Sequence, residues 1–314
     1  MDRSSAVGTE DGLAAPGRGG AGESVAGVQD DRLCKWLVAR VVQGEVGAGP
    51  TRLACHELQS LTLFFFFSCR TNLQPFQNNI RIRTFAAGAN QITAETWSDT
   101  HINALSIGCL SLDPSDPRFR FGLSPFVPSS NWAPDLYQAD VYVATTTINF
   151  DSPFRSAPSI CLFLSQIDEE RCSSPGQTMS LSVWAENVGA QSFTLCVKVW
   201  GGRKDIWNAT VQWLAHDPYD TTIRSGSIRR DFKEWTGMQN DRVVFSPAFP
   251  SSPGSDGSPK VLVGLAGYEL NVDATNTRFQ IAESGVGAAG FDWRAGPWAD
   301  TRMKHGRWNW IAIQ

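Results

Sequence analysis

The residues best suited to chemistry in this chain are arginines standing among regularly alternating apolar positions. Arg81 lies between Ile80 and Ile82, and Arg278 opens Arg-Phe-Gln-Ile281. Alternation with period two buries one face of a strand and leaves the arginine on the wet face. A tryptophan follows each arginine, Trp97 in Trp-Ser-Asp99-Thr and Trp298 in Trp-Ala-Asp300-Thr. A guanidinium fork reaches two oxygens at once, and an indole face packs on a C–H patch. Together they suit a polyhydroxylated ring. Singly, each has a plainer role: a strand arginine is usually solvated surface, and a tryptophan usually core.

Other chemistry finds little support. The four histidines (His56, His101, His216, His305) form no HExxH, and G-x-S-x-G and P-loop signatures are absent. Asp168-Glu-Glu170 offers adjacent carboxylates, but such acids on a turn are usually solvated. The seven cysteines contain no CxxC pair, so neither a zinc site nor a dense disulfide framework is indicated. The expectation is a binding protein without cofactor or metal, not an enzyme. A net charge of -4 and a pI near 5.6 argue against a nucleic-acid partner. No apolar run is long enough for membrane insertion. No signal peptide is visible in the Gly- and Ala-rich opening, which suggests a cytoplasmic or non-classically secreted protein. The sequon Asn208-Ala-Thr210 is then expected to be unused.

The elements that must carry these residues are strands. Gly (28), Pro (17) and Trp (12) are abundant and only 18% of residues are charged, as in all-β chains with short strands. No long helical period occurs, and the chain repeats itself. The clearest copy runs Val243-Val-Phe-Ser-Pro-Ala-Phe-Pro250, Pro259-Lys-Val-Leu-Val-Gly-Leu265, Thr277-Arg-Phe-Gln-Ile281, Gly290-Phe291, Trp298-Ala-Asp-Thr301 and Trp308-Asn-Trp-Ile-Ala-Ile313. A second runs from Ile148-Asn-Phe-Asp-Ser-Pro-Phe154 through Met179-Ser-Leu-Ser-Val-Trp184, Phe193 and Trp200 to Val211-Gln-Trp-Leu-Ala215. A third keeps only a back half, around Asn79 to Ser111. The divisions expected are 1–75, disordered or mis-predicted; 76–125, a partial repeat; 140–220 and 228–314, fuller repeats. The run Leu61-Thr-Leu-Phe-Phe-Phe-Phe-Ser68 fits either a buried strand or a gene-prediction error, and the sequence favours the error.

The ordered set Phe-x-x-Pro-Phe, Pro-Lys-Val-x-Val-Gly-Leu, Arg-x-x-Ile, Gly-Phe, Trp-Ala-Asp-Thr and Trp-Ile-Ala resembles the H-type lectin domain, found in snail agglutinins and slime-mould discoidins. The resemblance implies an all-β fold of tandem six-stranded antiparallel β-sandwich domains. It implies galactose or N-acetylgalactosamine bound in clefts between domains that gather around a threefold axis. The partners would be glycans, and the assembly a trimer or an internal pseudo-trimer. Cell adhesion or defence would be fitting roles. By the same resemblance Arg278 takes the place of the family's sugar-binding arginine, with Trp298 beside it. Ala299 stands where some members are polar, so Asp300 would supply that bond. Lys304 replaces an aromatic ring. In the second repeat Ser180 replaces the arginine, leaving Trp200 and Trp207 as an aromatic wall. In the first, Arg81, Trp97 and Asp99 remain and Asn103 replaces the aromatic. Asp231, in Arg229-Arg-Asp-Phe, is a counterpart of the acid that precedes each domain's first strand. The alternative is an adhesion sandwich that kept the fold and lost the sugar.

Overall fold

The computed structural model describes residues 34–42, 51–54, 62–75, 79–86, 91–96, 100–126, 133–134, 141–170, 178–201, 206–232, 237–250, 258–271 and 277–314. All regular structure among them is strand. The first stretch gives β1 (Cys34–Val42), β2 (Thr51–Ala54), β3 (Thr62–Pro75), β4 (Asn79–Ala86), β5 (Gln91–Thr96) and β6 (Thr100–Leu112). The second gives β7 (Phe119–Phe126), β8 (Ala133–Pro134), β9 (Tyr142–Asn149), β10 (Ser159–Glu170), β11 (Thr178–Glu186), β12 (Ser192–Val199) and β13 (Ile206–His216). The third gives β14 (Ile223–Asp231), β15 (Gln239–Val244), β16 (Lys260–Asn271), β17 (Thr277–Gly287), β18 (Gly290–Pro297) and β19 (Met303–Ile313).

Three sheets result, with strand orders β1-β6-β3-β17-β18-β15, β2-β5-β4-β10-β13-β7 and β14-β19-β16-β11-β12-β9-β8. Each sheet takes three strands from one stretch and three from another, with the two-residue β8 added as a fourth second-stretch strand in the last. β4 of the first stretch pairs with β10 of the second, β11 of the second with β16 of the third, and β17 of the third with β3 of the first. The poly-Phe run lies within β3, at the place that β10 and β16 hold in their own stretches. The strands preceding the back half of the first stretch are therefore present as β1, β2 and β3. Their sequences depart from the motifs of the other copies, so motif spacing passed over them.

Within each repeat, three strands of one sheet face those that the repeat gives to the next sheet, three in number or, with β8, four, across a shared core. Phe150, Phe154, Phe193 and Trp213 join the halves of the second repeat, and Phe245, Phe249, Phe291 and Trp310 those of the third. The two sets superpose in geometry. The Phe150–Phe154 and Phe245–Phe249 centroids lie 5.1 and 5.0 Å apart, both edge-on. Phe193–Trp213 and Phe291–Trp310 are 5.7 and 5.6 Å apart. Trp310 is core, as its alternation with Trp308 suggests.

Each tryptophan needs a glycine on the neighbouring strand. Gly122 faces Trp213 and Gly226 faces Trp310 in register. An added Cβ at either glycine would lie 2.7 Å from the indole. Gly226→Ala is expected to cost about 1–3 kcal/mol of stability through overpacking. Chemical unfolding measures this, and an unchanged midpoint would mean that the indole yields freely.

A second cluster joins the repeats to one another. Leu110 and Leu112, Cys161, Phe163 and Leu214, and Leu262, Ile311 and Ile313 bring all three stretches to one centre. Two similar links feed it, Asp113-Pro-Ser-Asp116 and Asp217-Pro-Tyr-Asp220. In each, the first aspartate accepts the amide two residues on, Ser115 at 2.8 Å and Tyr219 at 2.9 Å. Cys161 and Cys196 are free thiols whose pKa burial pushes up to about 12, so both stay protonated.

His216 ends β13 and is 2% exposed. Its Nδ1 lies 3.0 Å from the Asp217 carbonyl and its Nε2 2.8 Å from the Ser225 hydroxyl, an arrangement that serves the neutral ring. Burial is the main cause that lowers its pKa from the usual 6.5. The unfolded chain then binds the proton more readily. The stability that His216 contributes is complete above pH 6.5 and is lost as pH falls through the lowered folded value. Unfolding midpoints should therefore drop on acidification below pH 6.5, and less so in His216→Gln. Equal acid slopes would assign the effect to other groups.

Candidate functional site

The polar residues of interest gather where one repeat hands a sheet to the next. At each seam the third-strand position singled out by sequence faces a fixed place on the neighbour's strand. Arg81 pairs with Asp168, Ser180 with Glu269, and Arg278 with Asn72.

At the seam between the third and first stretches, Arg278 is held from its own repeat. Its guanidinium forms an ion pair with Asp300 and lies 5.4 Å from the centroid of the Trp298 ring. Its backbone amide donates to the Thr301 hydroxyl at 2.8 Å, and its carbonyl accepts the Trp298 amide at 3.3 Å. Ala299 has a φ of 56°, a left-handed turn that brings Asp300 back to the arginine. The place that sequence reads as a missing polar contact is thus a tight turn, where a side chain gains little by being large. The result is a fork, a carboxylate and an indole face on one edge, all partly open.

At the seam between the first and second stretches, Arg81 Nε lies 3.2 Å from Asp168 Oδ1, and Arg83 pairs with Glu95. Asp168 is not on a turn. It stands within β10, and its neighbour Glu169 is 7% exposed. Glu169 accepts the Ser180 amide at 3.2 Å and the Tyr268 hydroxyl. Burial, reinforced by Glu169, holds the Tyr268 phenol well above its usual pKa. The expectation of solvated acids on a turn is thus corrected for Asp168 and Glu169, which strand pairing sets against Arg81 and Tyr268. Trp97 and Asp99 lie outside the described residues.

At the remaining seam a cleft of about 670 Å³ opens between the second and third repeats. Ser180 is fully buried and exchanges hydrogen bonds with the Trp200 backbone, so it does not reach the cleft as an arginine would. Glu269 faces the cleft instead. It accepts Trp200 Nε1 at 2.9 Å and Lys304 Nζ at 3.0 Å. His305 Nδ1 lies 2.8 Å from Asp231. Asp231 and Trp200 therefore meet in one cleft. Asp231 ends β14, so this acid lies on the repeat's first strand and not ahead of it.

Trp207 does not join Trp200 as a wall. Asn208 pairs with Asp168 as His305 pairs with Glu269, so Trp207 on β13 holds the place of Lys304 on β19. Trp207 is 55% exposed and belongs to the Arg81–Asp168 seam. Sequence reasoning missed Asp168, Glu269, Arg229 and Arg307 as seam residues, because strand pairing far along the chain gives each its neighbours. Among the described residues no cluster of His, Cys, Asp and Glu is arranged to hold a metal ion.

The H-type lectin domain family model matches residues 145–216 and 240–313, which are the second and third repeats. Two structures of discoidin II from Dictyostelium discoideum, one recombinant and one wild type, align with 58% of this chain at 12% identity. The alignments span 77% and 75% of the respective discoidin chains, with TM-scores of 0.27 and 0.26, too low to bear on fold or function. No curated protein matches the chain.

Proposed function

We propose, on the premise that this chain carries tandem H-type lectin domains over residues 145–216 and 240–313, that it is a lectin for galactose- and N-acetylgalactosamine-type glycans. Its work would be binding without chemical conversion, in adhesion or defence. The observation that carries this reading is the Arg278 fork, tied to Asp300 over the face of Trp298 at the edge of a seam. Adjacent sugar hydroxyls would hydrogen-bond the guanidinium beside Asp300, and the ring's C–H face would lie on the indole. Arg81 beside Asp168, with Trp207 exposed nearby, offers a second such seam.

One chain would supply what three domains supply elsewhere. The closed exchange of strands β4–β10, β11–β16 and β17–β3 supports an internal pseudo-trimer. Binding to an array of neutral glycans tests the function. Retention of galactose- or N-acetylgalactosamine-terminated glycans is expected, and retention of none would favour the second reading. That reading, a sandwich that lost its sugar, draws on Ser180, whose hydroxyl is spent on the Trp200 backbone.

A further inference from the structure

We infer that the cleft between the second and third repeats takes an anionic saccharide, a sugar bearing a carboxylate or a sulfate ester. The inference rests on the lectin reading but uses a seam that lacks the arginine fork.

The cleft is built on two rungs of one sheet. Arg229, Arg307, Gly267, Ser182 and Lys198 are successive partners across β14, β19, β16, β11 and β12. Asp231, His305, Glu269 and Ser180 form the rung beside it. Lys198, Arg229, Lys304 and Arg307 line the space against two acids, Asp231 and Glu269. Both acids are engaged from within, Glu269 by Lys304 and Asp231 by His305.

Arg229 and Arg307 stand side by side, and among the described residues neither has an ion pair. Arg307 Nε is shielded from solvent and has no hydrogen-bond acceptor. A buried donor without an acceptor is rare in folded proteins and calls for an explanation. Burial, and then the charge of Arg229, both disfavour the Arg307 cation. An anion seated between the two guanidinium groups would offset the charge that Arg229 sets against Arg307. Between the cations on this rung stand only Gly267 and Ser182, which carry little side chain. Trp184 and Trp200 line the same cleft, giving indole surface for the uncharged part of a sugar. The volume of about 670 Å³ lies within the range of small-ligand sites.

The fold does not demand this charge. At the seam between the first and second stretches the counterpart of Arg307 opposite Arg229 is Thr210 opposite Pro125. The cations there, Arg81 and Arg83, are paired with Asp168 and Glu95.

Calorimetric titration of the full chain with 3′-sialyllactose, galactose 6-sulfate and lactose tests the inference. At low salt at least one charged probe should bind tenfold or more tighter than lactose, with the advantage shrinking as salt screens it. The two charged probes separate carboxylate from sulfate recognition. Arg229→Ala removes an exposed side chain, so the fold should survive, and Arg307→Met keeps the stem. Each should weaken the charged probe at least tenfold and leave N-acetylgalactosamine binding at the Arg278 seam as it was. Charged probes no tighter than lactose, or variants that bind them normally, would overturn the inference. So would inorganic sulfate binding as tightly as the sugars. Loss of one of the two N-acetylgalactosamine sites in Arg278→Ala with charged binding retained would support separate seams.

Discussion

Arg278→Ala is expected to abolish measurable N-acetylgalactosamine binding at its seam, a loss of about 10- to 100-fold or more. Hydrogen bonds to a charged group contribute about 1.5–3 kcal/mol each, and each 1.4 kcal/mol is roughly a factor of ten. The substitution also leaves Asp300 without its partner and strips the cation from the face of Trp298. Arg278→Lys should recover little, because an ammonium cannot bridge two hydroxyls in the plane of a fork. Calorimetry with a chain already carrying Arg81→Ala isolates this seam. Undiminished heat in that double variant would remove Arg278 from the site.

The second large effect is on stability. Trp310→Ala and Trp213→Ala should each cost about 3–5 kcal/mol, the usual range for deleting a large aromatic from a core. Whole domains are stable by only about 5–15 kcal/mol, so either variant should unfold at far lower denaturant. The two costs should agree to within about 1 kcal/mol, since both rings sit against matching Phe triads and a matching glycine. Equilibrium unfolding followed by circular dichroism would show this. Markedly unequal losses would mean that the two cores are not copies of one design.

Much of this was legible in the chain. The alternation at Arg278-Phe-Gln-Ile281 and the Phe-to-Trp spacing mark strands and their core sides, because a strand's period is fixed by its backbone. The second and third repeats declare themselves through residues that touch within one repeat. What stayed hidden involves groups that meet across strands far apart in the chain. Asp168 looks solvated until β4 of another repeat brings Arg81. Within the third repeat, Arg307 looks like surface charge until β14 sets Arg229 against it, and Lys304 reads as a lost aromatic while in place it answers Glu269 on β16. One signal was available and unused. Asp113-Pro-Ser-Asp116 and Asp217-Pro-Tyr-Asp220 repeat the same turn ahead of Arg120-Phe-Gly122 and Arg224-Ser-Gly226, and so mark where each repeat begins. The front strands of the first stretch gave no such mark, since β3 carries a phenylalanine run where β16 carries Lys260-Val-Leu-Val-Gly-Leu265.

The most direct test is the number of N-acetylgalactosamine molecules bound per chain, measured by calorimetry at a concentration where sedimentation fixes the assembly state. The expected result is two sites on a particle of 34.4 kDa, one for each seam that carries an arginine. No binding at all, or sites that appear only when several chains associate, would contradict it.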